Sequence, residues 1–109
     1  MKEVQAYIKQ HRLDEVVHSL RKIEGLTGMS VLTVQGYGLG IHSRGPDQEM
    51  FLNPGVKLEV FCRSEVVLEV IAVIEKAAHT GLKGDGKIYV TNVEQAVRIS
   101  TGKRGEDAV

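Results

Sequence analysis

The chain has one cysteine, Cys62, among its 109 residues. A lone cysteine has no partner for an intramolecular disulfide and no companions for a multi-cysteine metal site. That usage fits a reducing, intracellular setting. Charge of one sign is also missing. Lys plus Arg and Asp plus Glu stand at 14 each, a formal net charge of zero. The balance removes any global attraction to nucleic acid or to an anionic membrane surface, and leaves only a local basic site open. No apolar run reaches the roughly 18 residues of a membrane span. The opening Met1-Lys2-Glu3-Val4-Gln5 lacks the apolar core of a signal peptide. Proline occurs twice, as Pro46 and Pro54, both within one stretch between apolar segments. What is present is a hydrophobic fraction of 42%, too high for a disordered tail. The expectation is a single cytoplasmic domain with one modest core.

Val4, Ala6 and Ile8 alternate with Gln5, Tyr7 and Lys9, the period of a half-buried strand. Leu13, Val16, Val17, Leu20 and Ile23 then form a helical stripe, with Asp14 and Glu15 in its first turn and Gly25 as its stop. Met29 to Gln35 reads as a β-branched strand. From Gly36-Tyr37-Gly38-Leu39-Gly40 the periodicity stops, and Pro54-Gly55 closes the aperiodic stretch. A loop of that length in a small domain is functional or mobile. Val56, Leu58, Val60 and Cys62 share one face of the next strand. Val67, Val70, Ile71, Ile74 and Ala78 mark a second helix, with Ser64 placed to cap it. Lys87 to Thr91 is a short strand, and Val93 to Ile99 reads as a turn with room for a fifth. The order βαβ, long loop, βαβ predicts an α+β ferredoxin-like sandwich with both helices on one sheet face. Tyr7, Leu32, Val34 and Phe61 fall on the opposite face, for which an oligomer is the natural cover.

The most pointed local feature is Gly84-Asp85-Gly86-Lys87. Glycines let backbone N–H groups approach an anion, and Lys87 supplies a point charge suited to phosphate. The same residues also make a plain tight turn with a surface lysine. The spacing is not that of a P-loop. Arg98, Lys103 and Arg104 join the same anion site if the last segment returns to the first sheet strand, and otherwise form a solvated basic tail. Gly36-Tyr37-Gly38 is either a strand end or a close backbone contact at the base of the loop. His11, His18, His42 and His79 show no metal spacing, and Cys62 alternates into an apolar face as an inert thiol. No nucleophile–base arrangement marks an enzyme.

Over nearly its whole length the chain resembles the PII signal-transduction proteins. The carrying residues are Met1 to Lys9 with Leu13-Asp14-Glu15-Val16, then Leu26-Thr27-Gly28-Met29-Ser30-Val31, then Gly36-Tyr37-Gly38. Thr80-Gly81 with Gly84 to Val90 resembles the family's "TGxxGDGKIFV", and Val93 to Gly102 with Gly105 and Ala108 resembles its ending. The resemblance implies a homotrimer and an adenine nucleotide (ATP, ADP or AMP) in each cleft between subunits. It implies a regulator, not a metabolic enzyme. It also implies a T-loop, here at about residues 37–55, that engages a partner protein, either a membrane transporter or an enzyme. Carried across residue by residue, Gly28 and Ser30 line the nucleotide cleft. Gly36, Tyr37 and Gly38 lie at the T-loop base, and Glu59 and Phe61 approach the adenosine. Gly84, Asp85, Gly86, Lys87 and Arg98 hold phosphates; beyond the resemblance, Lys103 or Arg104 could swing in to compensate for a missing cation. His42, Arg44, Asp47, Glu49 and Phe51 would meet the partner.

The departures bear on function. The basic residue and glutamine that follow the family's "GFG" are Leu39 and Gly40 here, which argues against the usual 2-oxoglutarate response. The loop is about three residues shorter and has no tyrosine for uridylylation. Ser100 stands for the second arginine of the family's "VRIRTG", and Gly55 for the lysine after its "LP". Each lost cation removes a charge-assisted hydrogen bond to a triphosphate, worth about 1.5–3 kcal/mol. ADP or AMP is then expected to bind at least as well as ATP. Two alternatives stand beside this reading: a divergent regulator of bicarbonate transport or carboxysome function, with bicarbonate beside the phosphates, and a standard nitrogen-regulatory protein with an altered loop. Leu39, Gly40 and the missing tyrosine favour a divergent member over the standard one.

Overall fold

The computed structural model describes residues 1–39 and 50–109. Strand β1 (Lys2–Ile8) leads through a 3₁₀ turn, Gln10–Arg12, into helix α1 (Leu13–Leu20). Strands β2 (Ser30–Leu39) and β3 (Met50–Cys62) follow, then a 3₁₀ turn at Ser64–Val66 and helix α2 (Val67–Ala78). Strand β4 (Gly86–Asn92) and a 3₁₀ turn at Gly105–Ala108 complete the chain. The four strands form one antiparallel sheet in the order β2-β3-β1-β4. Each βαβ half is therefore split by a strand of the other, the ferredoxin-like topology expected from the element order.

The core follows from the two periodicities. Val4, Ala6 and Ile8 of β1 and Val56, Leu58, Val60 and Cys62 of β3 present one sheet face. Val16 and Leu20 of α1, the following Ile23, and Val70, Ile74, Ala77 and Ala78 of α2 pack down on it. Each such side chain, taken fully from water, contributes about 1.5–3 kcal/mol before entropy is charged against it. Cys62 is buried, and burial pushes its thiol up, away from reactivity. The helices cover only this face. On the other, Tyr7, Leu32, Phe61 and Tyr89 stay between a third and two-thirds exposed. Tyr7 meets Tyr89 edge-to-face at 6.2 Å.

Several local expectations change. The strand expected to stop near Gln35 continues to Leu39, and β3 begins at Met50 rather than Val56. Residues 36–39 pair with 50–53, so the aperiodic glycines belong to a two-stranded ribbon that outruns β1. Pro54 is tolerated there because β3 has only β2 beside it at that level. Ser64 does not cap α2, whose cap position is Val66; its hydroxyl accepts a bond from the Met1 amino group at 2.9 Å. No fifth strand forms after β4 among the described residues, and a single bridge joins Val97 to Arg104. No described helix is long and apolar enough to cross a membrane.

Candidate functional site

Strand register sets where each candidate side chain stands. Lys2, Cys62 and Asn92 lie abreast at one end of the sheet, and Ile8, Val56 and Gly86 at the other. Six residue steps at ~3.3 Å separate these ends by roughly 20 Å. Ser30 pairs with Glu59 towards the first end.

A groove of about 540 Å³ opens at that first end. It is lined by four residues chosen from the sequence, Gly28, Ser30, Glu59 and Phe61. Thr27, Met29, Gln95 and Val97 also line it. Gln95 and Val97 carry no chemical signal in the sequence; they reach the groove because the chain folds back after β4. Glu59 holds Lys57 in an ion pair at 2.9 Å, and its hydrogen bond keeps the ammonium above its ordinary pKa. The same ammonium sits 5.9 Å from the centre of the Tyr7 ring.

Arg98, Lys103 and Arg104 stand on a tight turn beside this groove, not on a loose tail. The Gly102 N–H donates to the Arg98 carbonyl at 2.8 Å, and the Arg98 N–H to the Lys103 carbonyl at 2.9 Å. The Gly105 N–H closes the turn on the Ala96 carbonyl at 3.0 Å. Gly102 and Gly105 take left-handed angles, φ 72° and 73°. All three cationic side chains are exposed. The residues beyond fold onto the end of the two central strands, where Glu106 pairs with the Met1 amino group at 2.8 Å and Asp107 with Arg63 at 3.2 Å.

The second group occupies the other end. Gly84 has φ 81° and Gly86 φ 107°, conformations that disfavour other residues. A Cβ on Gly86 would lie 1.6 Å from the Tyr7 carbonyl oxygen, so this glycine serves close packing against β1. Asp85 is committed to the turn itself. It accepts the Thr80 hydroxyl and, at 2.8 Å, the Thr80 N–H, and it pairs with Lys9 at 3.2 Å. The two Thr80 bonds, and then the Lys9 charge, hold its carboxyl far below the ordinary carboxylate range. Asp85 thus shapes the turn. Lys87 shares a register row with Tyr7 on the face away from the helices.

The third group, Gly36, Tyr37 and Gly38, pairs with Asn53, Leu52 and Phe51 in the ribbon. It lies towards the Gly86 end but on the opposite sheet edge, three strand spacings or about 14 Å across. His42, Arg44, Asp47 and Glu49 lie outside the described residues, as does the Phe51 side chain. The structure therefore gathers Gly28, Ser30, Glu59 and Phe61 in one groove, whereas Arg98, Lys103 and Arg104 stand exposed on the neighbouring turn and do not line it. It separates them from Gly84, Asp85, Gly86 and Lys87. Within one chain the two basic groups do not meet, because the last segment returns to the far end of β1, near Met1 and Lys2. Among the described residues no cluster of three His, Cys, Asp or Glu side chains is arranged for a metal.

Comparison with known proteins finds that the sequence profile of the family described as Nitrogen regulatory protein P-II matches residues 1–103. A protein of that name from Azospirillum brasilense is 42% identical, with the whole of each chain covered. Those from Rhodobacter capsulatus and Haemophilus influenzae are 44% and 43% identical, again with both chains covered throughout.

Proposed function

Because the chain belongs to the nitrogen regulatory protein P-II family of signal-transduction regulators, we propose that it binds an adenine nucleotide between copies of itself and controls a partner protein through its T-loop. The observation that carries this reading is the separation of the two candidate groups by the length of the sheet. Neither half alone makes a nucleotide site. The groove with Phe61 and Val97 offers apolar walls for a base, and the exposed Arg98, Lys103 and Arg104 belong to the turn that Val97 opens. The Gly84–Lys87 turn offers N–H groups and an ammonium for phosphate. Two copies that present opposite ends to one cleft combine them. The half-exposed Tyr7, Leu32, Phe61 and Tyr89 on the uncovered face support a homotrimer that buries it.

Signalling then works by population shift. Nucleotide contacts at the base of the ribbon, Gly36 to Gly38, favour one loop state, and a transporter or enzyme partner binds that state alone. A nucleotide with equal affinity for both states would signal nothing. Ser100 and Gly55, each standing where the family resemblance calls for a cation, favour ADP or AMP at least equally with ATP. Leu39 and Gly40 favour a regulator without the usual 2-oxoglutarate response, and a loop with no tyrosine beyond Tyr37 at its base favours one without uridylylation. The names of the relatives favour nitrogen regulation as the physiological setting.

Calorimetric titration with ATP, ADP and AMP, each with and without 2-oxoglutarate and with bicarbonate, tests the reading. The expected result is nucleotide binding with no ATP advantage and no 2-oxoglutarate effect. A clear preference for ATP, strengthened by 2-oxoglutarate, would make this an ordinary nitrogen sensor. Coupling to bicarbonate would favour inorganic-carbon regulation.

A further inference from the structure

The anion-binding turn has an electrostatic flaw. Asp85 carries a full negative charge between Gly84 and Gly86, in the turn read above as a phosphate site. Lys87, two residues on, offsets it only in part. The nearest compensation comes from a residue distant in sequence. Lys9, just after β1, passes beneath the turn. Its Cε lies 3.9 Å from the Cβ position of Gly84, and its ammonium reaches Asp85 at 3.2 Å and the Thr80 hydroxyl at 3.4 Å. The Thr80 oxygen in turn accepts the Leu82 N–H at 3.1 Å. One ammonium thus underpins the strand-to-turn entry, its carboxylate and its hydroxyl together. The other charged neighbours do not replace it. His79 Nδ1 is 3.6 Å from Asp85 on a mostly exposed ring, and Glu75, at the hollow beside the turn, adds a further negative charge.

Resting on the nucleotide reading above, we propose that Lys9 is a positioning residue of the phosphate site, fixing the Gly84–Lys87 turn from below and cancelling the Asp85 charge that would otherwise repel the ligand. Lys9 touches no phosphate in this role. Its contribution grows with ligand charge, because the repulsion it cancels scales with the charge brought near Asp85. A merely structural lysine would instead cost every nucleotide the same factor.

The test is calorimetry with ATP, ADP and AMP on the full chain, using Lys9→Gln, which keeps a donor and loses the charge, and Lys9→Arg, which keeps both. Lys9→Gln is expected to weaken ATP about tenfold and AMP about twofold, with ADP between. Lys9→Arg is expected to stay within about twofold of wild type for all three. Adding Asp85→Asn to Lys9→Gln removes the uncompensated anion and restores most of the lost ATP affinity. If Lys9→Gln does not fold, Asp85→Asn alone decides. Its side-chain carbonyl still accepts the Thr80 N–H, Lys9 is left as a free cation, and ATP is expected to bind at least as tightly as to wild type. An equal loss for all three nucleotides, no loss at all, no rescue by the double variant, or weaker ATP binding by Asp85→Asn overturns the proposal. Wild-type protein that binds none of the three nucleotides overturns the nucleotide reading itself, and the role of Lys9 with it.

Discussion

The turn at residues 80–87 and the turn at 97–104 offer the same chemistry, glycines beside Lys or Arg, yet they are built differently. In the first, side chains from distant parts of the chain meet: Lys9 pairs with Asp85, Asp85 gathers Thr80, and Gly86 packs against the Tyr7 carbonyl. In the second, backbone bonds and one local bond from the Lys103 N–H to the Thr101 hydroxyl close the turn, and Arg98, Lys103 and Arg104 are exposed. A turn held by tertiary contacts takes its shape from residues remote in sequence. A turn held by its own backbone tolerates side-chain change, so its cations are free to answer to a ligand.

The largest break in this contrast is expected at the glycines. Gly86→Ala forces a Cβ into the Tyr7 carbonyl at a left-handed angle, and should cost about 3–5 kcal/mol of stability. Gly102→Ala meets no atom within 4 Å and should cost only its conformational strain, about 1 kcal/mol. Urea unfolding of the two variants, compared at one protein concentration, measures the difference. Similar losses would mean the two turns are equally constrained.

A smaller effect should separate the turns by pH. Asp85 has its folded pKa depressed, so the stability it adds is fully present above the unfolded value near 4 and is lost as pH falls below it towards the folded value. Asp85→Asn should therefore be less stable than wild type at pH 7, with a gap that narrows steadily below about pH 4. Thermal melts from pH 3 to pH 8 follow it. A gap that stays constant into acid would show that the carboxylate charge contributes nothing there. The smallest effect is expected at Arg98→Ala, which should change stability by less than about 0.5 kcal/mol. The same variant should weaken nucleotide binding about tenfold if the turn answers to phosphate. Unchanged binding would leave the turn with no ligand.

The elements were legible because each is written locally. Alternation at Val4, Ala6 and Ile8 and the stripe at Val16 and Leu20 reappear as the two sides of the core. Cys62 was legible as inert for the same reason. The ribbon was not, because Gly36, Gly38 and Pro54 have poor strand propensity and pair only through the partner strand that faces them. Of the candidate site, Gly28, Ser30, Glu59 and Phe61 do share one groove, whereas Lys9 carried no sequence signal of any site. Its place beneath the Gly84–Lys87 turn depends on β1 and β4 lying side by side.

Residue type and order were enough to specify the helices, the core parts of the strands, the apolar face each buries, and the family to which the chain belongs. Those properties rest on residue type and spacing within a few positions. Only the tertiary structure decided that the 97–104 turn and the Gly84–Lys87 turn stand at opposite ends of the sheet, and that Asp85 is bound to Lys9 and Thr80. Strand order and long-range ion pairs arise from contacts between residues remote in sequence, which local periodicity does not encode.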